Sequence, residues 1–114
     1  MAQFIKPKSL SVVVPVRNEE DNVAELIFEI RKSLKNKINY EIIYVDDGST
    51  DQSWSVIEKL RNDNSNVKAI KFQRNYGKSA ALNEGFKAAE GEVIITMDAD
   101  MQDSPDEIPA LRNM

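Results

Sequence analysis

Four short runs of branched aliphatic residues, at 10–14, 42–45, 67–72 and 93–97, alternate with three stretches whose apolar residues recur at helical spacing. Runs this short and this continuously apolar are those of strands buried on both faces. Between them, Val23, Leu26, Ile27, Ile30 and Leu34 mark one amphipathic helix. Trp54, Ile57 and Leu60 mark a second, and Ala81, Leu82, Gly85, Phe86 and Ala89 a third. The order βαβαβαβ predicts an α/β fold, a doubly wound, mainly parallel sheet with helices on both faces. Right-handed crossovers leave few topologies, and the commonest has strand order 3-2-1-4.

Local signals set the expected boundaries. Pro15 stops the first strand, and Asn18–Asn22 is acidic and cap-forming, as a helix start should be. Ser49, Thr50 or Asp51 can cap the second helix. Lys68 and Lys71 interrupt the third strand and place it towards an edge. Gly91 suits the C′ position of the third helix, and Trp54 and Phe86 sit at core spacing as packing residues. Residues 1–9 read as an irregular lead-in and 10–114 as one domain at most. Ser104-Pro105-Asp106-Glu107 has capping-box spacing, although Pro109 conflicts with a helix begun there.

Composition removes whole classes of chemistry. With no cysteine and no histidine there are no disulfides, thiol nucleophiles, Ser-His triads or His-ligated zinc. What remains must run on carboxylates, hydroxyls, amides, Lys and Arg. The net charge of −4 argues against nucleic acid as a partner, because a phosphate backbone needs clustered cations. No apolar run approaches the ~20 residues of a membrane-crossing helix.

The acids are placed at strand ends. Asp98-Ala99-Asp100 follows the run at 93–97, and Asp46-Asp47-Gly48-Ser49 follows the run at 42–45. In a 3-2-1-4 sheet the segments ending strands 1, 2 and 4 rim one crevice at the switch point. Asp98 and Asp100 there suit Mg²⁺ or Mn²⁺, which takes carboxylate oxygens and leaves positions for a ligand's phosphates, with Gln102 able to add a neutral oxygen. Successive alternate residues of an extended chain do not converge, so a turn after Met97 is needed for both acids to reach one ion. The same pair also fits a plain solvated turn. Asp46 is placed to hydrogen-bond a base N–H or ribose hydroxyls, while Asp47 to Ser49 shape the turn. Arg17, Arg74 and Lys78 are the cations placed to meet phosphates.

Four segments in order resemble the inverting glycosyltransferase family that includes dolichol-phosphate mannose synthase. They are Val14-Pro15-Val16-Arg17-Asn18-Glu19, Val45-Asp46-Asp47-Gly48-Ser49, Arg74-Asn75-Tyr76-Gly77-Lys78 with Ala81-Leu82 and Gly85, and Met97-Asp98-Ala99-Asp100-Met101-Gln102-Asp103. Met101 stands where the family more often has Leu, and Ser104 where it more often has Pro. The resemblance implies the N-terminal half of a Rossmann-like GT-A fold. It implies a nucleotide site of Pro15, Arg17, Glu19, Asp46, Asp47, Lys78 and Asp98, and a metal site of Asp98, Asp100 and Gln102. The implied reaction moves a sugar, with inversion, from a UDP- or GDP-sugar to a polyprenyl phosphate or glycan acceptor. The implied setting is the cytoplasmic face of a membrane. No catalytic base is expected within these residues, and the acceptor half is expected to lie outside them, leaving this part inactive alone and prone to pair as a homodimer.

Two other readings share the pattern. A response-regulator receiver is also an acidic α/β domain that binds Mg²⁺, but its acid pair follows the first strand, where this chain has Pro15-Val16-Arg17-Asn18. A non-catalytic nucleotide-binding fragment would look the same as a transferase fragment.

Overall fold

Apolar runs and amphipathic stretches fold into seven elements in the expected order: β1 (Ser9–Val16), α1 (Glu20–Leu34), β2 (Asn39–Asp46), α2 (Ser53–Asp63), β3 (Val67–Lys71), α3 (Lys78–Ala88) and β4 (Val93–Thr96). The computed structural model describes residues 9–34 and 39–99, so Asp100, Gln102 and the 104–107 helix start lie outside the described residues. Every strand pairing is parallel, and the sheet order is β3-β2-β1-β4, as expected.

Alternation along β1 divides the core. Leu10, Val12, Val14 and Val16 face α1 and α2, packing with Val23, Leu26, Ile30 and Ile57. Val13 faces the other way, with Ile43, Val45 and Ala81 beneath α3. Helix α3 comes close because it presents small residues: a Cβ at Gly85 would collide with the Val13 side chain. Tyr44 is fully buried among aliphatics, so its hydroxyl donates to the Val23 carbonyl at 3.0 Å and burial pushes its phenol far above its usual range.

Four expectations are corrected. Strand β1 does not stop at Pro15 but runs through it to Val16. Met97 N–H donates to the Val13 carbonyl at 3.1 Å, so alternate residues of β1 turn their polar groups towards β4. Pro15 shares that orientation but lies past Thr96, where β4 ends, so its missing N–H costs no ladder bond. Gly91 is not the C′ residue of α3, whose C-cap is Ala89. Its lack of a side chain instead lets the chain pass against Ser11, whose backbone and hydroxyl a Cβ would strike. Phe86 is 44% exposed rather than packed, whereas Trp54 is partly buried on the core with Lys71 over its ring. The residue capping α2 is Gln52, which makes no side-chain bond, but the neighbouring Asp51 carboxylate accepts the Ser53 N–H at 2.9 Å.

Candidate functional site

Three loops leave the carboxyl ends of β1, β2 and β3, and each is pinned to the next through side-chain acceptors. Asn18, in the left-handed region at φ 54°, accepts the N–H of Thr50 at 2.8 Å and of Asp51 at 3.3 Å. Its own N–H donates to Ser49 Oγ, and the Glu19 N–H donates to Ser53 Oγ, each at 2.9 Å. Asparagine is among the few non-glycine residues that adopt this conformation readily. The carboxylate of Asp47 then accepts the N–H of Tyr76 at 2.7 Å and of Gly77 at 3.1 Å. Gly48, at φ 72°, lies directly against the Arg74–Asn75 backbone, where any Cβ would clash.

The loops thus held enclose an open cleft of about 160 Å³ lined by Pro15, Val16, Arg17, Glu19, Asp47, Lys78, Asp98 and Ala99. That size is below that of a complete small-molecule pocket and suits only part of a nucleotide. Across it, Lys78 Nζ lies 2.6 Å from Asp98 Oδ1. Gly77, at φ 103°, enters α3 with nothing within 4 Å of where a Cβ would stand, so the backbone there is open to a close ligand.

Six of the seven residues expected to meet a nucleotide, Pro15, Arg17, Glu19, Asp47, Lys78 and Asp98, line this cleft. The seventh, Asp46, lies outside the lining, 1% exposed at the end of β2. Its Oδ1 accepts the Ser49 N–H at 3.2 Å, while Oδ2 is buried with no partner among the described residues. Buried acceptors are normally satisfied, so this oxygen keeps capacity for one further donor. Arg74 does not line the cleft; its guanidinium sits 5.0 Å from the Tyr76 ring centroid. Asp47 both lines the cleft and clamps the Tyr76–Gly77 backbone. Sequence reasoning missed Asn18 and Ser53 as loop fasteners. The available signal was an Asn directly before Glu19-Glu20, a residue suited to a left-handed turn.

Among the described residues no group of three or more His, Cys, Asp or Glu could hold a metal by itself. Mg²⁺ and Mn²⁺ do not require one, since they bind through one or two carboxylates together with substrate phosphates and water. Asp98 offers a hard oxygen whose side chain is 32% exposed, and the Lys78 ammonium already stands against it as a cation. The donor chemistry therefore fits a divalent ion that arrives with a phosphate ligand.

A family model described as glycosyl transferase family 2 matches residues 11–114. The chain is 44% identical over 113 residues to an undecaprenyl-phosphate 4-deoxy-4-formamido-L-arabinose transferase of Proteus mirabilis, covering 97% of this chain and 35% of that protein. It is similar to S. aureus TarS 1–349 in complex with UDP-GlcNAc, at 37% identity and TM-score 0.69, covering 81% of this chain and 26% of that one. It is also similar to the mannosyltransferase PcManGT from Pyrobaculum calidifontis in complex with GDP-Man and Mn²⁺. There the identity is 26% and the TM-score 0.75, covering 85% of this chain and 28% of that one. The chain spans about a third of the length of the curated relatives it matches.

Proposed function

Because the chain belongs to glycosyl transferase family 2 and has a GT-A fold, we propose that it is the donor-binding part of a transferase moving a sugar from a nucleoside diphosphate to a polyprenyl phosphate. The observation that carries this reading is the convergence of Pro15, Arg17, Glu19, Asp47, Lys78 and Asp98 on one cleft beside the orphaned oxygen of Asp46. Pro15, Glu19 and Asp46 hold the nucleoside, with Asp46 Oδ2 taking a base N–H or a ribose hydroxyl. Arg17 and Lys78 meet the diphosphate. Asp98, with Asp100 and Gln102 from outside the described residues, holds Mg²⁺ or Mn²⁺. When bound, that ion neutralises charge growing on the departing diphosphate.

In the reaction, an acceptor oxygen attacks the anomeric carbon in line as the bond to the diphosphate breaks, so the configuration inverts. A polyprenyl phosphate is already anionic and needs no strong base. The acceptor assignment follows the names of the undecaprenyl-phosphate relatives. With such an acceptor, the whole protein is proposed to work at the cytoplasmic face of a membrane; no helix among the described residues is long and apolar enough to cross one. Residues 10–114 form the donor-binding part of a larger domain, and the outer strands, with Ile94 42% exposed on β4, leave an edge on which this part alone can pair as a homodimer.

Calorimetric titration with UDP and with GDP, with and without Mn²⁺, tests the reading. Metal-dependent binding of one nucleotide is the expected result, and no binding of either would overturn it. Sugar transfer to a polyprenyl phosphate by these 114 residues alone is not expected.

A further inference from the structure

The contact between Lys78 and Asp98 ties the first turn of α3 to the segment following β4 across the mouth of the cleft. Both side chains remain open to solvent, Lys78 the more so, and both line the cleft. An ammonium in hydrogen-bond contact with a carboxylate oxygen occupies the side from which a metal ion would approach that oxygen. Lysine is a compact point charge on a flexible stem, able to change partners without moving the backbone. The open backbone at Gly77 leaves room beside it for a phosphate.

Resting on the donor-site reading above, we propose that Lys78 is the resident counter-ion of Asp98 and that diphosphate and metal bind cooperatively because the diphosphate draws Lys78 off this carboxylate. Without nucleotide, Lys78 competes with a divalent ion for Asp98 Oδ1 and holds the affinity for the bare ion down. When a nucleoside diphosphate enters, Lys78 turns to its phosphate oxygens and Asp98 is released to the ion. No covalent bond changes; one ammonium leaves the carboxylate as the ion and an anionic ligand arrive together. By linkage, the factor by which nucleotide tightens ion binding equals the factor by which the ion tightens nucleotide binding. Much of that factor resides in Lys78.

The test is Mn²⁺ binding to the full chain, read from the electron paramagnetic resonance of free Mn²⁺, with and without UDP or GDP. Wild type is compared with Lys78→Met, which keeps the stem, and with Lys71→Met. The latter removes an equal charge at the carboxyl end of β3, from a residue that stacks over the Trp54 ring and does not line the cleft. Lys78→Met is expected to bind Mn²⁺ alone several-fold more tightly than wild type and to lose most of the enhancement by nucleotide. Lys71→Met should change the bare-ion affinity less and keep the enhancement. If Lys78→Met binds Mn²⁺ no more tightly than Lys71→Met, or retains the wild-type enhancement, this inference is overturned while the donor site stands. Absence of Mn²⁺ binding by wild type, with or without nucleotide, would overturn the metal site and this inference together.

Discussion

Both ends of one sheet carry a cluster of charged residues but treat it in opposite ways. At the amino end, Glu41 accepts from Ser11 Oγ at 2.6 Å, from the Glu90 N–H at 2.7 Å and from Lys68 Nζ at 2.8 Å. Lys68 also reaches Glu90 at 3.2 Å and the Ala88 carbonyl at 3.0 Å, and Ser11 Oγ accepts the Gly91 N–H at 2.8 Å. That cluster satisfies itself and fastens the α3–β4 turn beneath β1 and β2. At the carboxyl end, Asp46 Oδ2 is buried without a partner among the described residues, and Arg17, Glu19, Asp47, Lys78 and Asp98 face an open cleft. A closed polar network is a structural device, whereas an incomplete one leaves capacity for a further donor.

Substitutions at the two ends should therefore fail in different assays. The largest effect is expected from Asp98→Asn, which should weaken Mn²⁺-dependent nucleotide binding on the order of 100-fold, since hard cations need anionic oxygens. As a half-buried residue at a strand end, it should leave stability within about 0.5 kcal/mol. Titration calorimetry and thermal melts on one preparation would check both halves. Gly48→Ala should blur the comparison, because that position combines φ 72° with backbone contact to Arg74–Asn75. It is expected to cost about 1–3 kcal/mol of stability and also to weaken nucleotide binding by displacing the loop that leads into Lys78. A Gly48→Ala protein that melts as wild type does would show that the loops are not interlocked as described. Glu41→Ala should do the reverse of Asp98→Asn. Stranding the Ser11, Glu90 and Lys68 donors should cost about 1–2 kcal/mol, with nucleotide affinity unchanged.

How far the sequence reveals this division depends on the physics at each position. Strand order and helix faces were legible because burial on both sides of a parallel sheet forces continuous apolar runs, as at 42–45, and helical spacing of Val23, Leu26 and Ile30. Cleft residues were legible because a switch point gathers strand ends whatever their separation along the chain. Pro15 misled because a proline ends a strand only when its N–H is needed, and the short length of β4 removes that need. Phe86 misled because helical spacing gives a face but not what covers it. The pairing of Asp47 with the Tyr76 and Gly77 amides, and of Asn18 with Thr50 and Asp51, could not be read at all. Such contacts join residues 29 to 33 positions apart through geometry that no spacing encodes.

The smallest expected effect sharpens the comparison from the side of pH. Burial alone would raise the Glu41 carboxyl, but the Lys68 ammonium, the Ser11 hydroxyl and the Glu90 N–H outweigh it and hold the group below its ordinary value. A folded-state value below the unfolded one contributes stability that is present above about pH 4.3 and lost as pH falls through the lower folded value. Asp51 behaves alike: slight burial would raise it, and the Ser53 and Glu20 donors bring it down. Lys68 is shifted the other way, upwards, chiefly by its bond to Glu41. Its contribution is present at neutral pH and fades only as pH rises through its elevated value. Glu41→Gln should therefore flatten the acid limb of stability, measured as melting temperature between pH 6 and pH 3, by less than about 1 kcal/mol. The Asp51 share of that limb should remain. An acid limb of unchanged slope in Glu41→Gln would mean that the amino-end network is spectator charge, and that self-satisfaction does not distinguish the two ends.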